Sequence, residues 1–168
     1  MKRVFPLGLI TLGIALSFGV LGQLYLDSRE SSLASVNLPN QLAGLRITDS
    51  KSGAEAITEF TDLHGKKFPV NFGAIGVYGN REITLWVAGA SSESVAMEIT
   101  NAMQEKIAEG NSPFTPVNKI NERTHTIYAL EGMGQRHYYF QSKNLVIWLT
   151  ADPAFADDAL QQILEVYS

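Results

Sequence analysis

A chain of 168 residues with 13 basic and 17 acidic side chains, a net charge of −4 and no cysteine has the size of one ordinary domain plus an appendage. The missing cysteine excludes a structural disulfide, a thiolate metal site and a lipid-modified cysteine anchor. Setting aside the first thirty residues, with Lys2, Arg3, Arg29, Asp27 and Glu30, leaves 10 basic and 15 acidic residues, a net charge of about −5 with no run of Lys or Arg. Such a surface repels phosphate backbones and has no basic patch for anionic lipid, so the expected partners include no nucleic acid.

No charged residue stands between Arg3 and Asp27, and residues 4–26 form a mostly apolar run of 23 residues. As a helix it is about 34 Å long, enough to cross a hydrocarbon core of roughly 30 Å, and it predicts an N-terminal transmembrane helix. Lys2 and Arg3 precede the run, whereas Asp27, Arg29 and Glu30 follow it. The positive-inside bias then keeps the N-terminus cytoplasmic and exports the rest as a single-pass protein. A cleaved secretory signal is the competing reading, with Val20 and Gly22 before a cut at Gln23, but its apolar region is usually only about 7 to 15 residues. Export without disulfides points to a bacterial or archaeal envelope. Gly8, Thr11, Ala15, Gly19 and Gly22 lie within roughly 80° of one another on a helix, a stripe of small residues suited to packing against another membrane helix.

Residues 27–41 are polar, Ser-rich and carry Pro39 near their end, which reads as a stalk before a domain at 42–168. A short strand is expected at 42–47, and a helix over 52–64 follows from Ala56, Ile57, Phe60 and Leu63, with Gly65 as its stop. Strands at 72–78 and 83–88 flank the turn Gly79-Asn80-Arg81-Glu82. Gly73, Gly76 and Gly79 match no phosphate loop and fit strand positions that another element approaches closely. Ser91 or Ser92 can cap a second helix, whose stripe is Val95, Ile99, Ala102, Met103 and Ile107 and whose stop is Gly110.

The segment 111–118, with Pro113 and Pro116, reads as an irregular loop. Strands at 124–131 and 136–141 then flank a turn at 132–135, and 145–150 is apolar on both faces, as a central strand would be. Asp152 as cap, Pro153 at the first position and Asp157 and Asp158 near the positive end of the dipole predict a last helix.

This order predicts an α+β domain with an antiparallel sheet of about six strands and three helices on one face of it. The first six elements follow the βαββαβ order of ferredoxin-like folds. A weak echo at a spacing of 62 residues, which places Trp86 on Trp148, suggests instead a duplicated hairpin-plus-helix unit.

Little in the chain carries chemistry. Alternation about the 132–135 turn puts Glu131 opposite Arg136 and His137 beside Leu130, Tyr128 and Tyr139, with His125 on the other face and His64 at a helix end. Three histidines so dispersed cannot converge on one ion, and no metal or other cofactor is expected. Carboxylates form no pair suited to acid–base work, and neither a nucleophile elbow nor a Ser-x-x-Lys motif occurs, so the chain is not expected to be an enzyme. Tyr128, His137 and Tyr139 are candidates for an aromatic interaction patch on an open sheet face. Phe114 is either a second anchor or a plug beneath its loop. The expectation is thus a non-catalytic, membrane-anchored accessory or interaction protein whose partner is another membrane protein. The alternative is a module that binds a small ligand on the sheet face.

Overall fold

In this computed structural model, residues 36–65, 69–110 and 112–168 are described. The apolar run at 4–26 and its stripe of Gly8, Thr11, Ala15, Gly19 and Gly22 lie outside the described residues. Among the described residues no helix is long and apolar enough to cross a membrane.

Residues Val36–Ser168 make one compact unit. In chain order they form β1 (Gln41–Leu42), β2 (Leu45–Ser52), α1 (Ala54–His64), β3 (Val70–Tyr78), β4 (Ile83–Ala90), α2 (Glu93–Ala108), β5 (Thr115–Glu122), β6 (His125–Gly132), β7 (Gln135–Ser142), β8 (Leu145–Ala151) and α3 (Ala156–Val166). The strands build one antiparallel sheet in the order β1-β2-β3-β4-β8-β7-β6-β5. The sheet therefore has eight strands rather than about six.

Two strands escaped the sequence reading for definite reasons. The first expected strand is broken by a turn at Ala43 and Gly44, both at positive φ (47° and 83°), so one run became β1 and β2. The expected irregular loop ends at Phe114, and β5 begins beyond it. Proline is tolerated at an edge, and β5 takes Pro116 with a register shift between Pro116 and Asn118.

The three helices lie on both faces of the sheet, not one. One face carries Leu85, Val87, Phe140, Ile147 and Leu149 under Ala159, Leu160, Ile163 and Leu164 of α3. The other carries Ile75, Ala88 and Val146 under Phe60 of α1 and Ala96 and Ile99 of α2. The central strand β8 thus has apolar partners on both sides, as its composition predicts. Gly73 has the role expected of it, because a Cβ there would collide with the ring of Phe60 on α1.

Of the two topological expectations the ferredoxin-like one fails on pairing, and the duplicated unit holds in part. A ferredoxin-like sheet needs its first strand between two others and parallel to one of them, whereas β2 pairs with β3 antiparallel across α1. The duplicated unit holds for its hairpin, since β3-β4 and β7-β8 are antiparallel hairpins on either side of the β4–β8 pair, where Trp86 faces Trp148 directly, but not for the helix that follows. A rotation about that pair keeps each face of the sheet on its own side, so it cannot carry α2 onto α3.

Local signals set the helix ends. Ser92 caps α2 by accepting from the Val95 amide at 3.3 Å, and Gly65 closes α1 in the left-handed region at φ 63°. The start expected for α3 is displaced. Residues 152–155 make a turn in which the Phe155 amide donates to the Asp152 carbonyl, and α3 begins at Ala156. The Asp152 carboxylate instead accepts from Gln135 Nε2 at 3.0 Å.

Residues 36–41, read as the end of the stalk, belong to the fold. Val36 and Leu38 pack on the core under α3, and the Tyr78 and Tyr167 hydroxyls donate to the carbonyls of Pro39 and Asn37 at 2.9 and 3.0 Å.

Candidate functional site

The face of the sheet beneath α2 has two differently built halves along β6 and β7. The first is an aromatic cluster. Tyr128 pairs with Tyr139 and Leu130 with His137, while Tyr139 pairs with Trp148 on β8, so three strands present their rings on one face. The rings of Tyr128 and Tyr139 stack with centroids 4.7 Å apart, and those of Tyr139 and Trp148 at 5.3 Å, both pairs inclined by 11°. The Lys119 ammonium of β5 lies 4.9 Å from the Tyr128 ring centre, a cation–π contact.

Phe114 closes this cluster from outside. Its ring lies 4.7 Å from His137 and 5.1 Å from Trp148. A side chain at Gly132 would strike Phe114 and the Pro113 carbonyl, so that glycine lets the 112–114 segment sit down on the hairpin. Met103 and Ile107 of α2 complete the cover. Phe114 is therefore the plug of the two alternatives.

His137 has a partner for each ring nitrogen. A carbonyl can only accept, so the contact of Nε2 with the Gly132 oxygen at 2.9 Å places the proton on Nε2. Nδ1 then accepts from the Trp148 indole N–H at 3.4 Å. Burial lowers the pKa of His137 below that of a free imidazole, and the Gly132 carbonyl offsets part of that shift. Burial likewise pushes the Tyr139 hydroxyl up to about 12.

The structure thus brings together all four soluble candidates, enclosing His137 and Tyr139 and leaving Tyr128 and Phe114 half-buried. His137 and Tyr139 are each 1% exposed. The face expected to be open is covered over His137 and Tyr139 by α2 and the 112–114 segment, and Tyr128 stays partly exposed at its edge.

The second half is a groove of about 400 Å³. One face of α2 forms a wall with Glu93, Met97, Thr100 and Asn101, opposite Thr126 and Tyr128 of β6 and Gln141 of β7. Here the pairing of β6 with β7, which runs from Gly132–Gln135, stops at Tyr128–Tyr139. On the other face of the sheet, against Phe140, His125 bridges the strands beyond that point, its Nδ1 lying 3.1 Å from the Gln141 carbonyl oxygen. Its Nε2 is buried and has no hydrogen-bond partner.

The register places His125 on the face opposite His137, as expected. His64 ends α1, with Nδ1 at 2.7 Å from the Phe60 carbonyl oxygen. Among the described residues no three His, Asp or Glu side chains are placed to hold a metal.

Sequence reasoning missed Trp148 and Lys119 as members of the aromatic stack and missed the groove altogether. The signal for the stack was the pairing of β7 with β8, two strands of known alternation. The groove had no such signal, since its residues come from four separated segments. No protein-family model matches the chain, and neither does any curated protein or solved structure.

Proposed function

We propose that this chain is a non-catalytic, membrane-anchored accessory protein whose exported domain acts by binding, with the groove beside Tyr128 as its binding surface. The observation that carries this reading is the groove itself. Its volume of about 400 Å³ is in the range of small-ligand sites, roughly 300 to 1,000 Å³, and a partner's side chain also fits that space. The enclosed cluster of His137, Tyr139 and Trp148 serves as its rigid support, because stacked rings fix the position of Tyr128. The anchor rests on the uncharged run at 4–26 and the charges that flank it.

A photo-crosslinking residue at Met97 or Thr126, in the full chain in its native membrane, should give a specific adduct. The same residue at Leu63 or Met133, which are 71% and 73% exposed and do not line the groove, should give none. Equal labelling at all four positions would overturn the assignment of the surface. A reporter active only outside the cytoplasm, fused after Ser168, should be active and membrane-bound. A soluble product starting near Gln23 would remove the anchor from the proposal.

A further inference from the structure

The two edges of the sheet are built differently. At one, β1 covers only the start of β2, and the rest of that strand is irregular and charged. Its register slips between Ile47 and Asp49, and Lys51 is tied to Glu59 of α1. Bulges and charges are the usual guards of an open edge. At the other edge, β5 has its bulge and its proline only near its start, between Pro116 and Asn118. Residues 118–122 then follow β6 without a break, and among the described residues no strand lies beyond them.

The register also fixes where the backbone groups of this edge point. Glu122 and His125 close a hairpin with two residues between them, so they exchange hydrogen bonds, and every second pair after them does the same. Asn118 and Ile120 therefore turn their amides and carbonyls towards β6, whereas Lys119 and Asn121 turn theirs outward. Pro116 agrees with this alternation: it stands opposite Leu130 at a non-hydrogen-bonded position, where its missing N–H faces out of the sheet. A lysine ordinarily guards an edge, but the Lys119 ammonium is drawn back over the Tyr128 ring of β6, 4.9 Å from its centre.

We propose that β5 is the contact between two copies of this chain, which pair antiparallel along it and join their sheets across a twofold axis at Ile120. Outward groups must meet outward groups, which limits the registers to those centred on a residue. Centring on Lys119 opposes two ammonium groups, and centring on Asn121 sets Lys119 against Arg123, although like charges directly opposite are destabilising. Centring on Asn118 runs into the bulge. Centred on Ile120, the pairing uses the whole regular stretch. Lys119 and Asn121 exchange backbone hydrogen bonds, Asn118 meets Glu122, and Ile120, only partly buried in the single chain, meets its own copy. Such a contact is self-complementary and closes at two. It lies on the edge of the sheet and does not depend on the role of the groove.

The chain has no cysteine, so introduced cysteines report the register without background. In the full chain in its native membrane, Ile120→Cys should give a covalent dimer on mild oxidation, because a non-hydrogen-bonded pair brings Cα atoms to about 4.5 Å, within reach of a disulfide. Asn118→Cys is more exposed than Ile120→Cys but should not couple to itself. Copies carrying Asn118→Cys should instead couple to copies carrying Glu122→Cys, a test that leaves Ile120 in place. In the Ile120→Cys background, Asn121→Pro removes an outward amide that β6 does not use, and should lower the yield about tenfold through two lost hydrogen bonds. Asn121→Lys, which opposes the Lys119 of the other copy, should lower it as well, and adding Lys119→Glu should restore it.

Coupling of Asn118→Cys to itself as efficient as that of Ile120→Cys would reflect mere proximity in the membrane and overturn the pairing. So would a yield at Ile120→Cys that neither Asn121 variant changes, or the absence of a covalent dimer from both Ile120→Cys and the mixed pair.

Discussion

His137 and His125 stand on neighbouring strands at opposite ends of one hairpin, and the fold treats them in opposite ways. Around His137 every contact is closed: Gly132 and Trp148 take its two nitrogens, and Phe114 covers its ring. Around His125 the pairing of β6 with β7 has stopped and one nitrogen is orphaned, while a groove opens on the α2 face of the same strands. The first arrangement stabilises the domain, because buried rings add area and specific geometry. The second has no comparable cluster of rings, which accords with the binding role proposed for it. Substitutions at the two ends should therefore behave differently.

The largest effect belongs to Trp148. Its ring meets Tyr139, Phe114 and His137 together, so Trp148→Ala should destabilise the domain by about 3 to 5 kcal/mol, read from urea unfolding. A negligible change would mean that the closed end carries no more stability than the open one. Phe114→Ala comes next. The plug is half-buried, and losing it should cost about 2 kcal/mol. Because it uncovers the ring face of His137, the same variant should also make the Trp148 indole exchange its proton faster.

Acid should weaken the closed end through His137. The folded pKa is depressed below the unfolded value near 6.5, so between the two the unfolded chain binds a proton that the folded chain does not. Stability is complete above about pH 6.5, falls as pH drops through that value, and levels off below the folded pKa. His137→Gln, which retains a donor for the Gly132 carbonyl, should flatten this part of a plot of urea midpoint against pH. An unchanged slope would place the acid sensitivity elsewhere.

The closed end was largely legible in the sequence, and the open end was not. Period-two alternation put Tyr128, His137 and Tyr139 on one face, because a strand's side-chain direction follows from counting alone. The pattern of one hairpin does not say what covers that face, and α2 with the 112–114 segment supplied the answer. The number and order of strands depended on pairings between distant segments, which propensity does not encode. Pro116 concealed β5, since proline argues against a strand except at an edge. The start of α3 was mistaken because Asp152, a good cap by residue type, is held by Gln135 instead.

At the open end the predicted effect on stability is close to zero. Met97 is 51% exposed and Glu93 carries no ion pair among the described residues, so neither side chain holds the fold together. Met97→Gln and Glu93→Gln should each shift unfolding by no more than about 0.5 kcal/mol, the usual range for surface changes away from special features. Both should nevertheless alter crosslinking at the groove. That separation of stability from binding is what distinguishes a surface kept for a ligand from a gap in the packing. If either variant unfolds the domain as readily as Phe114→Ala, the groove is part of the structural core and the contrast between the two histidines loses its functional meaning. If the variants change neither stability nor binding, the groove is inert surface and the binding role must be sought elsewhere on the domain.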